Sequence, residues 1–113
     1  MPARNINPDT APAAVADAVA GLGRNIATAR IRRRLREEDL AGKAGITRTT
    51  LRRVEAGALG TGIGAYAAVL WALGLHGGLF DVAAPGLDLE GQTLEAARRG
   101  ERVRPSADLS DDF

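Results

Sequence analysis

Residues 37–56 read EEDLAGKAGITRTTLRRVEA. Glu37, Glu38 and Asp39 crowd the start of a helix, where the helix dipole favours negative charge. That helix runs to Ala44 and stops at Gly45. Thr47 is a good N-cap for a following helix over 48–56, which stops at Gly57. Leu40, Ala44, Leu51 and Val54 fall on the sides that face a common core, and the positions between them are polar. Ala41 falls where two helices cross at close range, so a larger side chain would force them apart. Gly45 falls in a sharp turn, where a positive φ comes without cost only to glycine. The stretch reads as a helix-turn-helix with Ala41 and Gly45 as its turn residues.

On the N-terminal side, Leu22, Ile26, Ala29 and Arg33 share one face of a helix over 22–34, joined to the motif by the link 35–36. Upstream, PAAVADAVA (12–20) has good helix composition, with Thr10 placed to cap it and Pro12 tolerated in the first turn. Gly21 and Gly23 interrupt this run; they either break the helix or weaken it, each at about 1 kcal/mol relative to Ala. On the C-terminal side, ALGTGIG (58–64) is loop, and Ile63–Leu73 is an apolar helix ended by Gly74. Residues 79–84 are a helical turn or a strand, and 87–99 a further helix with Leu87, Gly91, Leu94 and Arg98 along one side. GERVRPSADLSDDF is a polar, acidic tail in which ERVR has the look of an edge strand. The expected class is all-α. Three segments are expected: a mobile or helical N-terminal extension (1–20), a helix-turn-helix domain (21–76), and a C-terminal extension (77–113) for dimer or partner contacts.

Composition narrows the chemistry. The chain has 113 residues, enough for one modest domain with tails, and its 45% hydrophobic residues argue against general disorder. Aromatics are 4%, so the core must come from Leu, Ile, Val and Ala. With no cysteine and a single histidine, His76, neither disulfides, thiol catalysis nor a multi-histidine metal site is expected. No apolar run of about 18 residues suggests a membrane span, and MPARNINPDTAP lacks the apolar core of a signal peptide. The expected location is therefore cytoplasmic, in association with the nucleoid. The net charge of +1 hides a segregation. Residues 24–55 carry ten cationic side chains against four carboxylates, a net +6, while 81–113 carry four arginines against eight carboxylates, a net −4. A basic block beside an acidic tail points to a nucleic-acid face and a separate contact surface.

LGRNIATARIRRRLREEDLAGKAGITRTTLRRVEAG followed by IGAYAAVLWALGL resembles the Cro/C1-type, or XRE-type, helix-turn-helix domain, over about residues 22–75. The resemblance implies a five-helix bundle whose third helix reads the DNA major groove. More narrowly, that last helix with GLFDVAAPGLDLEGQTLEAARR and ERVR is similar to HipB-like antitoxins, the DNA-binding partners of HipA-like kinase toxins. By the family pattern, base-edge positions fall on Arg48, Thr49 and Arg53. Chemistry agrees: Arg donates a two-pronged hydrogen bond to guanine O6 and N7, and the Thr methyl meets a thymine methyl. Thr47 would donate to a phosphate while capping, and Arg52 suits phosphate better than base. Arg36 stands where the family has a small capping residue; it cannot cap, and is assigned instead to a phosphate. Glu37 stands where family members often carry a Gln touching the backbone, a contact that a carboxylate would repel. The loop 58–61 has no Lys or Arg, which leaves backbone N–H groups as its donors. Arg30 and Glu55 have the separation at which family members tie helix 1 to helix 3 by an ion pair.

Plainer readings stand beside these. The arginines at 30, 32, 33, 34 and 36 point in several directions, so one or two at most can meet DNA. Gly60, Gly62 and Gly64 have no preceding strand and no following Gly-Lys-Ser/Thr, which argues against a phosphate loop. Tyr66 and Trp71 suit core packing or a dimer contact, and for Trp71 the two readings are close to even. Scattered carboxylates at Asp81, Asp88, Glu90 and Glu95 have no partner His or Lys, so no enzyme, cofactor or metal site is expected. Three functions compete. The first is a dimeric operator-binding repressor that restrains a HipA-like kinase toxin. The second is a stand-alone regulator whose C-terminal part only dimerises. The third is a protein-interaction adaptor that has lost DNA binding, for which Glu37 and the cation-poor loop speak.

Overall fold

Proline at position 12 and the glycines that follow decide the first helix. The computed structural model describes residue 6 and residues 9–103. Most of the acidic tail, Arg104 of ERVR, and residues 1–5 and 7–8 of the N-terminal extension lie outside the described residues. Helix α1 spans Ala13–Arg32. Pro12, not Thr10, holds the N-cap position, and its carbonyl accepts from the N–H groups of Val15 and Ala16. The missing N–H of proline is no loss there. The helix passes unbroken through Gly21 and Gly23, so the Ala-rich stretch joins it, and a boundary at residue 20 falls inside α1. Gly23 is buried because α1 meets the end of the third helix there. A Cβ on it would lie 2.6 Å from the Glu55 carbonyl oxygen and 2.7 Å from that of Val54. Gly57, at φ +71, makes the reciprocal approach: its Cβ would lie 2.6 Å from Ala20 Cα. Contact between helices outweighs the propensity cost of these glycines.

Helix α1 ends two residues earlier than the sequence suggests. Arg34 takes the left-handed conformation (φ 56), with Arg34 N–H bonded to Ile31 O and Leu35 N–H to Arg30 O. Helix α2 covers Glu37–Ala44. Asp39 closes its start by accepting the Arg36 backbone N–H at 3.1 Å, one half of a capping box. Gly45 is left-handed at φ 75, ψ 27, and Ile46 N–H returns to Ala41 O at 3.0 Å. Helix α3 covers Arg48–Glu55, capped by Thr47 Oγ1, which accepts from Thr50 N–H at 3.1 Å. Helix α4, Ile63–Leu73, ends at left-handed Gly74. The core is drawn from all four: Ile26 and Ala29, Leu40 and Ala41, Leu51 and Val54, and Tyr66, Val69, Leu70 and Leu73. Ala44, Ile46 and Val19 pack against its rim. The buried Tyr66 hydroxyl donates to Ala58 O at 2.8 Å, and burial raises its pKa above the ordinary phenol value. Trp71, by contrast, is 60% exposed and belongs to the surface.

The chain divides into two compact units, Met1–Leu79 and Phe80–Phe113. The first carries four α-helices where five were expected, and the fifth lies in the second unit. Residues 76–81 form a 3-10 turn, His76–Asp81, rather than a strand. In the second unit a 3-10 turn, Pro85–Leu87, leads to α5, Leu89–Val103. Asp88 caps α5 by accepting from Gly91 N–H at 3.0 Å, and Gln92 Nε2 donates back to Pro85 O at 2.9 Å. The helix thus starts after Leu87 and continues past Arg99, absorbing Glu101–Val103. The edge-strand expectation for ERVR is corrected: helix formers on both sides of Gly100 carry the turn pattern onward. No strand occurs among the described residues, and the fold is all-α. No helix among them is long and apolar enough to cross a membrane.

Candidate nucleic-acid interface

Helix α3 is two turns long, and its two sides do different work. Leu51 and Val54 are fully buried and fix its back to the core. Arg48, Thr49, Arg52 and Arg53 are exposed in two adjacent columns, 48 with 52 and 49 with 53, at helical spacing i, i+4. Thr49 and Arg53 make no side-chain hydrogen bond or ion pair among the described residues.

Arg30 fastens the C-terminal end of α3. Its Nε donates to Glu55 Oε2 at 2.7 Å and its Nη2 to Glu55 Oε1 at 3.1 Å, a two-pronged pair. Its Nη1 donates to Leu35 O at 3.0 Å, so one guanidinium joins α1, the link before α2, and α3. The side chains are only 14% and 12% exposed, and the hydrogen bond that Arg30 donates to Glu55 holds the Arg30 pKa above its ordinary value. The expected ion pair is present.

Glu37 does more than repel. Its Oε1 accepts from Arg52 Nε at 3.0 Å and from Arg48 Nε at 3.2 Å. The hydrogen bond from Arg52 leads the causes that lower its pKa below the ordinary carboxylate value, and the one from Arg48 adds to it. Two of the arginines assigned to DNA are therefore tied to a carboxylate on α2. No periodicity rule reaches this arrangement, because it crosses the turn at Gly45; only the opposite charges at 37, 48 and 52 hint at it.

Arg36 is exposed, with Nε 3.3 Å from Asp39 Oδ2 and Nη1 3.7 Å from Glu38 Oε2. The side chain and backbone of Arg36 lower the Asp39 pKa. Thr47 Oγ1 is engaged as the cap of α3 and lies 3.0 Å from Thr50 Oγ1. Ala41 is buried and Gly45 forms the turn, as their spacing predicts. The arrangement as a whole offers a short, rigidly backed helix whose exposed positions carry three guanidinium groups and a hydroxyl. Such groups suit phosphate oxygens and base edges. Compared with protein-family models, with curated proteins and with solved structures, the chain matches none.

Proposed function

We propose that the protein is a sequence-specific DNA-binding repressor that acts as a homodimer, and that its C-terminal unit restrains a HipA-like kinase toxin as an antitoxin does. The observation that carries the DNA reading is α3. Its back is buried through Leu51 and Val54, its end is clamped by Arg30–Glu55, and its open side bears Arg48, Thr49, Arg52 and Arg53. A helix meant only to fill a core has no need of three outward guanidinium groups. The uncharged helix α4 supports a dimer, since Ile63 and Trp71 are exposed on it and Leu75 just beyond it. A dimer also supplies the second half-site that useful specificity requires. The partner reading is supported by the second unit, where Phe80, Val82, Leu87, Leu89 and Leu94 are all exposed.

Selection from a library of random duplexes tests the DNA reading. The chain enriches a two-fold symmetric, G-containing motif, its affinity falls steeply with salt, and the Arg48→Ala, Arg53→Ala double variant loses the enrichment. An unchanged motif in that variant overturns the assignment of base readers. Co-purification with the product of a neighbouring kinase gene tests the antitoxin reading; the absence of both gene and complex leaves a stand-alone regulator. The adaptor reading is favoured by one observation, the tie between Glu37 and two of the cations. It predicts no salt-dependent DNA affinity at all.

A further inference from the structure

We propose that Glu37 is a selectivity residue of the interface, one that weakens phosphate capture by Arg48 and Arg52 and leaves the Nη end of Arg48 for a base edge. The inference rests on the DNA reading above. Both arginines give their Nε–H to the same oxygen, Glu37 Oε1. A guanidinium grips a carboxylate or phosphate through a forked pair of N–H groups, and the fork containing Nε is one of them. With Nε engaged, the fork that remains is the terminal Nη1/Nη2 pair. That pair matches guanine O6 and N7, whereas a phosphate finds one fork on each arginine where there would be two.

Charge acts in the same direction. Two guanidinium groups beside one carboxylate present a net single positive charge to the polyanion, which weakens the sequence-independent attraction that phosphates supply. The carboxylate is also well placed to hold station. Glu37 sits in the first turn of α2, next to the fully buried Leu40 and buried Ala41, and its side chain is 29% exposed against 52% and 57% for Arg48 and Arg52. Its lowered pKa keeps it ionised where it is needed. Glu37 is a positioning residue: it touches the arginines and acts on DNA through them.

The test compares wild type, Glu37→Gln and Glu37→Ala by measuring affinity for the most enriched duplex and for bulk random duplex. Far-UV circular dichroism checks that each remains helical. Glu37→Ala should raise affinity for bulk duplex about 3- to 10-fold. It should also lower the ratio of best to bulk affinity by at least about fivefold, because Arg48 loses its orientation. Glu37→Gln keeps an oxygen acceptor without the charge, so it should raise bulk affinity while retaining part of that ratio. In an Arg48→Ala background the loss of selectivity from Glu37→Ala should shrink. An unchanged ratio in Glu37→Ala, or a fall in its bulk affinity, overturns the inference while the DNA reading stands. A wild-type chain that binds no duplex overturns the DNA reading, and this inference with it.

Discussion

Arg30 commits three of its five N–H donors to fixed partners: two bonds to Glu55 and one to the Leu35 carbonyl. Removing either charge leaves the other largely desolvated without its partner. Arg30→Ala or Glu55→Ala should therefore cost about 2–4 kcal/mol, read as a lower urea midpoint. The double variant should cost clearly less than the two single changes combined, since no orphan charge is left behind. Arg30→Lys should recover only part of the loss, because an ammonium cannot make the fork. Equal costs for the double variant and the added singles would show that the two side chains act independently. At this scale the sequence was legible where the signal is local or a recurrent separation. The cap at Thr47, the turn at Gly45 and the Arg30–Glu55 pair were all visible. Glu37 was not, because its partners at 48 and 52 come into reach only after α3 has folded back across the turn.

Among the elements, α1 shows why glycine cannot be read from propensity alone. Gly21 and Gly23 are two residues apart in one helix, yet their surroundings are opposite. A Cβ at Gly21 would meet nothing closer than Arg24 Nη2 at 3.6 Å, an ordinary contact, whereas one at Gly23 would strike the backbone of α3 at 2.6 Å. Gly21→Ala should stabilise the fold by about 0.5–1 kcal/mol through helix propensity and a less mobile unfolded chain. Gly23→Ala should destabilise it by about 1–3 kcal/mol by pushing α1 and α3 apart. Chemical denaturation of the two variants checks the pair, and a shared sign would contradict the close approach. The helices over 37–56 and 63–73 were legible because cap, apolar spacing and stop signal coincide there. The joining of the Ala-rich stretch to α1 was not, because it depends on Gly57, thirty-four residues further along the chain than Gly23. The continuation of α5 through Glu101–Val103 was hidden by Gly100 and by a short charged string that suits strand and helix alike.

For the whole molecule, every buried side chain among the described residues lies at or before Leu73. The first unit thus holds the core, and the second holds a capped helix with exposed apolar residues. A chain ending at Leu79 should keep the helical bundle and unfold within about 0.5 kcal/mol of the full chain, the range of surface changes. Thermal melts followed by far-UV circular dichroism check this; collapse of the shortened chain would mean that the bundle depends on residues beyond 79. The division was partly legible, since the glycines after Leu73 punctuate the sequence and the sign of the charge reverses beyond residue 80. One consequence follows from the two-sided build of α3. The residues that fasten it, Leu51, Val54 and Glu55, share no position with those it shows outward, Arg48, Thr49, Arg52 and Arg53. On the reading of α3 proposed above, its outward positions can be rewritten over evolutionary time to change what is recognised without touching the buried fasteners, while one lost fastener silences every message the scaffold carries.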